Sequence, residues 1–239
     1  MKQTQKTAKL AFVIPAYNEE VSIVQTLVDV KKNFPGAPAF VVNDGSRDKT
    51  RELALKNGAH VLTHVINRGL GASLATGIIA AVQKSESDII ITFDADLQHS
   101  GNDVRRLIDP IIKNQADAVI GSRFLSEEDL KLMPKTKVVG NLFLTKMTNF
   151  LSGTKITDSQ SGLRAFTKKA AEKILIASDR YAVSSEIIHE LSGRGFRIKE
   201  IPIKAIYDKR SATKGTNIKS GITILVDMIA KKIGLKERY

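Results

Sequence analysis

Ile89-Ile90-Ile91-Thr92-Phe93 runs directly into Asp94-Ala95-Asp96-Leu97-Gln98. The first five residues read as apolar on both faces, which suits a central parallel strand with helices packed on either side. Working back, Leu70, Leu74, Ile78 and Ala81 fall in step along a helix over 70–82, and 60–65 reads as a strand. Earlier still, Phe40-Val41-Val42 and Ala11-Phe12-Val13-Ile14 are short apolar runs, each followed by a helical segment. Asn18 and Ser46 stand where N-caps for those two helices are expected, and Gly58 where the second should stop. Working forward, Val104, Leu107, Ile108 and Ile111 make a helical stripe, and Ala118-Val119-Ile120 a fifth strand. This β–α repetition predicts an open α/β sheet with right-handed crossovers and ligands beyond the carboxyl ends of its strands.

The second half is less regular. Residues 138–151 are helical in pattern, with large apolar residues on more than one side. Short helices are expected near Ala170 and Ile187, then a strand pair around 196–206. A last helix, over about 218–232, sets Ile222, Leu225, Val226 and Ile229 among lysines. With no internal repeat or low-complexity linker, the 239 residues read as one domain.

Each strand of the first half ends in polar, turn-forming residues. They are Pro15-Ala16-Tyr17-Asn18-Glu19-Glu20, Asn43-Asp44-Gly45-Ser46, Asn67-Arg68-Gly69 and the Asp94–Gln98 stretch. Turn chemistry alone accounts for Asn-Asp-Gly-Ser. It accounts poorly for Asp94 and Asp96, whose charges repel unless a cation or hydrogen-bond donors compensate. Two hard oxygen ligands at this spacing suit Mg²⁺ or Mn²⁺, with Gln98 as a third and a substrate phosphate completing the shell. In isolation, Asp-x-Asp is more often a solvated turn than a metal site.

The whole series, Val13–Glu20, Val42–Thr50, Asn67–Ala72, Asp94–Gln98 and Gly121-Ser122-Arg123-Phe124, resembles the family 2 glycosyltransferases in order and spacing. Asp158–Phe166, Glu200-Ile201-Pro202 and Arg210-Ser211-Ala212-Thr213-Lys214 narrow the resemblance to the dolichyl- and polyprenyl-phosphate mannose, glucose and GlcNAc synthases. The resemblance implies a GT-A nucleotide-sugar fold, an open and mostly parallel twisted sheet flanked by helices, with a basic amphipathic C-terminal helix. Residues 1–125 would form the nucleotide-sugar half and 126–239 the acceptor half. It implies inverting transfer from a UDP- or GDP-sugar to a polyprenyl or dolichyl phosphate, with Mg²⁺ or Mn²⁺ as cofactor.

The implied roles follow residue by residue. Pro15, Tyr17, Glu19 and Asp44 would hold base and ribose, and Arg68 would lie near the nucleotide. Asp94, Asp96 and Gln98 would hold the metal. Arg123 would meet the acceptor phosphate, and Arg210 and Lys214 would close over the phosphates. The family's acceptor-facing cation is represented by Lys135 or Lys137, and Thr213 stands where a serine is usual. A phosphate acceptor, with a second pKa near about 6, needs no general base. A hydroxyl acceptor would need one, with Asp158 and Glu186 as the candidates. Arg164 is placed to pair with Asp158, and His60 and His64 read as strand residues. His99 is assigned to the surface beside the metal pocket.

The formal net charge of +12 points to an anionic partner, and most of the surplus lies beyond Lys131. With no Trp and few aromatics to stack bases, nucleic acid is set aside. The absence of cysteine fits a reducing compartment. The polar start is unlike a signal peptide, and no run approaches the roughly 18 apolar residues of a membrane span. The expectation is a cytoplasmic protein, peripheral to the cytoplasmic face of a membrane. It would touch that surface through 138–151 and the last helix. A membrane-protein partner or self-association stays open.

Overall fold

The computed structural model describes residues 8–178 and 182–204, with the backbone alone at 127–129. The first half alternates β1 (Leu10–Ala16), α1 (Ile23–Asn33), β2 (Ala39–Asn43), α2 (Thr50–Lys56), β3 (His60–Thr63), α3 (Leu70–Lys84), β4 (Ile89–Thr92), α4 (Gly101–Ile112) and β5 (Ala118–Ser122). The second half adds α5 (Glu127–Leu132), α6 (Lys135–Ser152), β6 (Arg164–Thr167), α7 (Lys168–Ala171), α8 (Val183–Gly193) and β7 (Ile198–Pro202). The strands form one sheet in the order β3-β2-β1-β4-β6-β5-β7. Strand β6 runs antiparallel to both β4 and β5, and every other pairing is parallel. The fold is GT-A, as the resemblance implies. The last helix expected from the sequence lies outside the described residues.

Alternation along the strands divides the core between the two faces of the sheet. Phe12, Ile14 and Ile91 turn to the side covered by α1 and α4, packing with Leu27, Val30, Leu107 and Ile111. Ala11, Val13 and Ile90 turn to the side of α3 and α8, packing with Leu74, Ile78, Val183 and Ile187. Both faces of the central strands are therefore dry, which is why their sequences read as continuous apolar runs.

Three expectations are corrected. Of the strand pair expected around 196–206, the described residues hold one strand, β7, which pairs with β5; residues 205–206 lie outside the described residues. An antiparallel strand of four residues, β6, enters the middle of the sheet where no strand was expected. Neither Asn18 nor Ser46 caps a helix: α1 starts after Ser22 and α2 after Lys49. Asn18 takes a left-handed conformation (φ 54°), donates its backbone N–H to Ser46 Oγ (2.9 Å) and accepts from the Arg47 amide (2.9 Å). Glu19 N donates to Thr50 Oγ1 (2.8 Å), and Lys49 N to Glu20 Oε2 (3.0 Å). The polar residues that would have capped locally instead tie the loop after β1 to the loop after β2.

Helix α3 lies close on the sheet because it carries Gly77. A Cβ there would fall 2.3 Å from Val13 Cγ1. Gly77→Ala is expected to overpack this contact at a cost of about 1–3 kcal/mol. That outweighs the gain of up to about 1 kcal/mol from alanine's helix propensity. Urea unfolding should show a lowered midpoint with unchanged slope, and a midpoint at or above wild type would refute the constraint.

Candidate active site

Strands β1, β2, β3, β4 and β5 present their carboxyl ends along one edge of the sheet, and antiparallel β6 presents its amino end there. Thirteen of the fifteen residues expected in the site are described, and Arg210 and Lys214 lie outside the described residues. Tyr17 is exposed just past β1, and Pro15 and Glu19 are partly buried beside it. Asp44 is buried. Its Oδ1 accepts from His64 Nδ1 (2.7 Å) and the Arg68 amide (2.9 Å), and its Oδ2 from the Gly69 amide (2.8 Å). His64 reaches Thr76 Oγ1 (3.0 Å) through its other nitrogen. Asp44 thus sets the path of the loop that carries the exposed Arg68. Gly45 makes the same junction possible: its φ is +70°, and a Cβ would fall 2.7 Å from the Asn67 backbone nitrogen.

Asp94 and Asp96 follow β4 on a sharp turn. Leu97 has φ +65°, a strained conformation for a residue with a Cβ. Asp96 Oδ1 accepts from the Gln98 amide (3.1 Å), and Oδ2 from Gln98 Nε2 (2.5 Å). Asp94 Oδ2 accepts from His99 Nε2 (3.0 Å). His99 is buried against the Phe93 ring, contrary to its expected surface position. Nothing in its spacing signals this, because the contact depends on the turn at Leu97. Gly162, just before β6, closes the other side of Asp94, and a Cβ there would fall 2.1 Å from Asp94 Oδ2. Thr92 Oγ1 holds the Gly162 carbonyl at 2.7 Å.

The two carboxyls differ electrically. Burial pushes both upward. For Asp94, the His99 hydrogen bond and the charges of His99, Arg164 and Arg123 more than offset burial, so it lies below the ordinary carboxylate range. For Asp96, burial and the Asp94 charge prevail over the Gln98 amide, and its pKa is pushed up to about 6. A close pair of half-buried hard oxygen ligands with one member holding back its ionisation fits a divalent cation, whose charge removes the repulsion. Among the described residues no group of three or more His, Cys, Asp or Glu side chains converges on a metal-sized point. Gln98 gives Asp96 its amide NH₂.

Past β5, Arg123 pairs with the buried Asp158, not with solvent. Nε donates to Oδ2 (2.7 Å), Nη2 to Oδ1 (2.9 Å) and the backbone N–H to Oδ2 (3.2 Å). Burial raises the Asp158 carboxyl, but the Arg123 charge and hydrogen bonds bring it below its usual value. The expected Arg164–Asp158 pair is replaced by this one. Arg164 is buried at the start of β6, level with Thr92 of β4 and Ile120 of β5, and donates from Nη2 to the Ser159 carbonyl (3.2 Å). Burial lowers its pKa to about 10, against the opposing charges of Asp94 and Asp158. Lys137, on the first turn of α6, is lowered by burial and by Arg123, against the pull of Asp96. Lys137 thus feels the charges of both Arg123 and Asp96; Lys135 is exposed. Glu186 accepts the Ala177 and Ser178 amides (3.1 and 2.9 Å) away from this cluster.

Residues 11–175 match Glycosyl transferase family 2. The chain is similar to an uncharacterized protein of Methanocaldococcus jannaschii, 47% identical over 92% of this chain and 91% of that one. It is also similar to the UDP-N-acetylglucosamine–dolichyl-phosphate N-acetylglucosaminyltransferase of Methanococcus voltae, 36% identical over 93% and 95% of the two chains. Among solved structures it resembles glucosyl-3-phosphoglycerate synthase from Mycobacterium tuberculosis in complex with Mn²⁺, UDP and phosphoglyceric acid. That match has a TM-score of 0.72 at 17% identity and covers 97% of this chain and 80% of the other. The chain belongs to glycosyl transferase family 2 and is a glycosyltransferase.

The raised Asp96 carboxyl has a signed consequence for the metal-free protein. Folding raises its pKa from 3.8 to about 6, so its contribution to stability is full below the lower value and is lost as pH rises through the upper one. The stability of wild type relative to Asp96→Asn should therefore fall between pH 4 and about 6. Denaturant melts in EDTA across that range check this, and a difference that stays flat or rises would contradict it.

Proposed function

We propose that this family 2 glycosyltransferase moves a hexosyl or N-acetylhexosaminyl group from a UDP- or GDP-sugar to a polyprenyl or dolichyl phosphate, with inversion. The observation that carries the reading is a cationic corner past β5: the Arg123 guanidinium, fixed by two hydrogen bonds to Asp158 (2.7 and 2.9 Å), and Lys137, which feels the charges of Arg123 and Asp96. A phosphate monoester fits that corner and supplies its own nucleophilic oxygen, being mostly dianionic at neutral pH. The two carboxylates that might serve a hydroxyl acceptor are committed elsewhere, Asp158 to Arg123 and Glu186 to two backbone amides. The name of the Methanococcus voltae relative supports a lipid-phosphate acceptor and makes UDP-N-acetylglucosamine the first donor to test.

In this reading Pro15, Tyr17 and Glu19 hold base and ribose, and Asp44 shapes the Arg68 loop against them. Asp94 and Asp96 would hold Mg²⁺ or Mn²⁺, with Gln98 joining them by rotating its amide. When bound, the cation would neutralise charge on the departing nucleoside diphosphate. Arg210 and Lys214 would add positive charge over the same phosphates. Arg123 and Lys137 orient the acceptor for in-line attack on the anomeric carbon from the face opposite the leaving group, and Lys135 lies on its approach. Such an orientation role reduces the entropic part of the barrier.

The acceptor's lipid tail requires a membrane surface. Among the described residues no helix is long and apolar enough to cross a membrane. Helix α6, which begins with Lys135 and Lys137, instead exposes Val139 (68%), Phe143 (52%) and Phe150 (75%). A face of that kind lies in an interface, with its basic residues toward anionic headgroups. We place the enzyme on the cytoplasmic face.

Incubation with UDP-N-acetylglucosamine, Mn²⁺ and polyprenyl phosphate should yield an acid-labile glycosyl phosphate lipid of inverted configuration. No such product with a panel of UDP- and GDP-sugars would sink the reading. Replacing Phe143 and Phe150 together by Ser should reduce flotation with anionic vesicles at least about tenfold, since each buried aromatic is worth about 1.5–3 kcal/mol. Turnover with a short, water-soluble lipid phosphate should be kept. Undiminished flotation would remove α6 from the membrane contact.

A further inference from the structure

Arg123 is aimed by a chain of hydrogen bonds that begins on the neighbouring strand. Glu200 of β7 lies level with Ile120 of β5. Its Oε2 accepts the Thr157 amide (2.7 Å), and its Oε1 accepts the Asp158 amide (3.0 Å) and the Thr157 hydroxyl (3.0 Å). Because the Thr157 hydroxyl donates to Glu200, the Ser122 hydroxyl must donate to Thr157 Oγ1, 2.6 Å away. Ser122 Oγ in turn accepts the Phe124 amide (3.2 Å). Asp158 meanwhile takes the Arg123 amide and guanidinium. Residues 122–124 are thus held on both sides by 157–158, and 157–158 is held by one carboxylate.

We infer that Glu200 is a positioning residue for the acceptor phosphate, acting through Thr157 and Asp158 to fix the guanidinium plane of Arg123. Glu200 touches neither donor nor acceptor in this scheme. Three donors converge on its two oxygens, an arrangement that only a carboxylate completes. An amide in its place turns an NH₂ toward at least one of them. Burial beside Asp158 makes that carboxylate costly to maintain, so its retention here is explained by the donors it organises. The inference rests on the lipid-phosphate reading above.

The test is steady-state kinetics of Glu200→Gln and of Thr157→Val with a soluble short-chain polyprenyl phosphate and UDP-N-acetylglucosamine. Loss of a hydrogen bond to a charged group is worth about tenfold. Acceptor KM should rise by about that factor in Glu200→Gln and by less in Thr157→Val, which keeps both backbone contacts to Glu200. Donor KM should stay within about twofold of wild type, because the β4 site is untouched. Should Glu200→Gln fail to fold, Thr157→Val alone carries the comparison. Acceptor KM unchanged in the folded variants, or donor and acceptor KM rising together, would overturn the proposal and leave the lipid-phosphate reading standing. Wild-type protein that transfers to no lipid phosphate would refute that reading, and this one with it.

Discussion

Asp94 and Asp96 place two carboxylates within one turn at the dry end of β4, and the surrounding structure is organised around their repulsion. A buried charge is tolerated only when it is paired or solvated by fixed donors. Asp94 is supplied with both, through the His99 hydrogen bond and the buried charge of Arg164. Among the described residues Asp96 receives the Gln98 donors, and burial and the Asp94 charge push its pKa up to about 6. The asymmetry leaves a deficit of positive charge at one defined place. A cation carried in with a nucleotide diphosphate meets that deficit, which links the electrostatics of the turn to the chemistry proposed for it.

The inserted strand β6 links this turn to the end of β5. It lies between β4, which ends in the acidic turn, and β5, which ends at Arg123. Gly162 at its entrance touches Asp94, and Arg164 at its first position balances Asp94 and Asp158 together. An antiparallel strand alone could bring its amino end to the edge where its parallel neighbours present their carboxyl ends. The acidic turn after β4 and Arg123 after β5 are consequently held by the one short strand between them.

The parts of the fold that were legible in the sequence are those decided by local pattern. Strands β1, β2, β4 and β5 are apolar runs because both sheet faces are covered there, and α3 and α4 announce themselves by periodicity. Strand β6 escaped because it has four residues, opens on a charge and follows a loop, so no period can develop. Asn18 and Ser46 have the right chemistry for caps, yet their partners lie 28 or 29 residues away in another loop. Residue types at the strand ends identified the acidic turn and Arg123, whereas the partnerships were not readable. Asp158 is six residues from Arg164 and 35 from Arg123, and only the sheet order makes the distant one its neighbour. His99 was misplaced for a similar reason, since a left-handed Leu97 folds it back under Asp94.

Calorimetric titration can decide whether the Asp94–Asp96 turn binds a nucleotide through a divalent cation, as proposed. UDP would be titrated into the protein with Mn²⁺ and with EDTA, and then into Asp96→Asn with Mn²⁺. Saturable binding is expected in the first case and its loss or severe weakening in the other two. Equal affinity with and without the cation, or in the variant, would contradict the proposal.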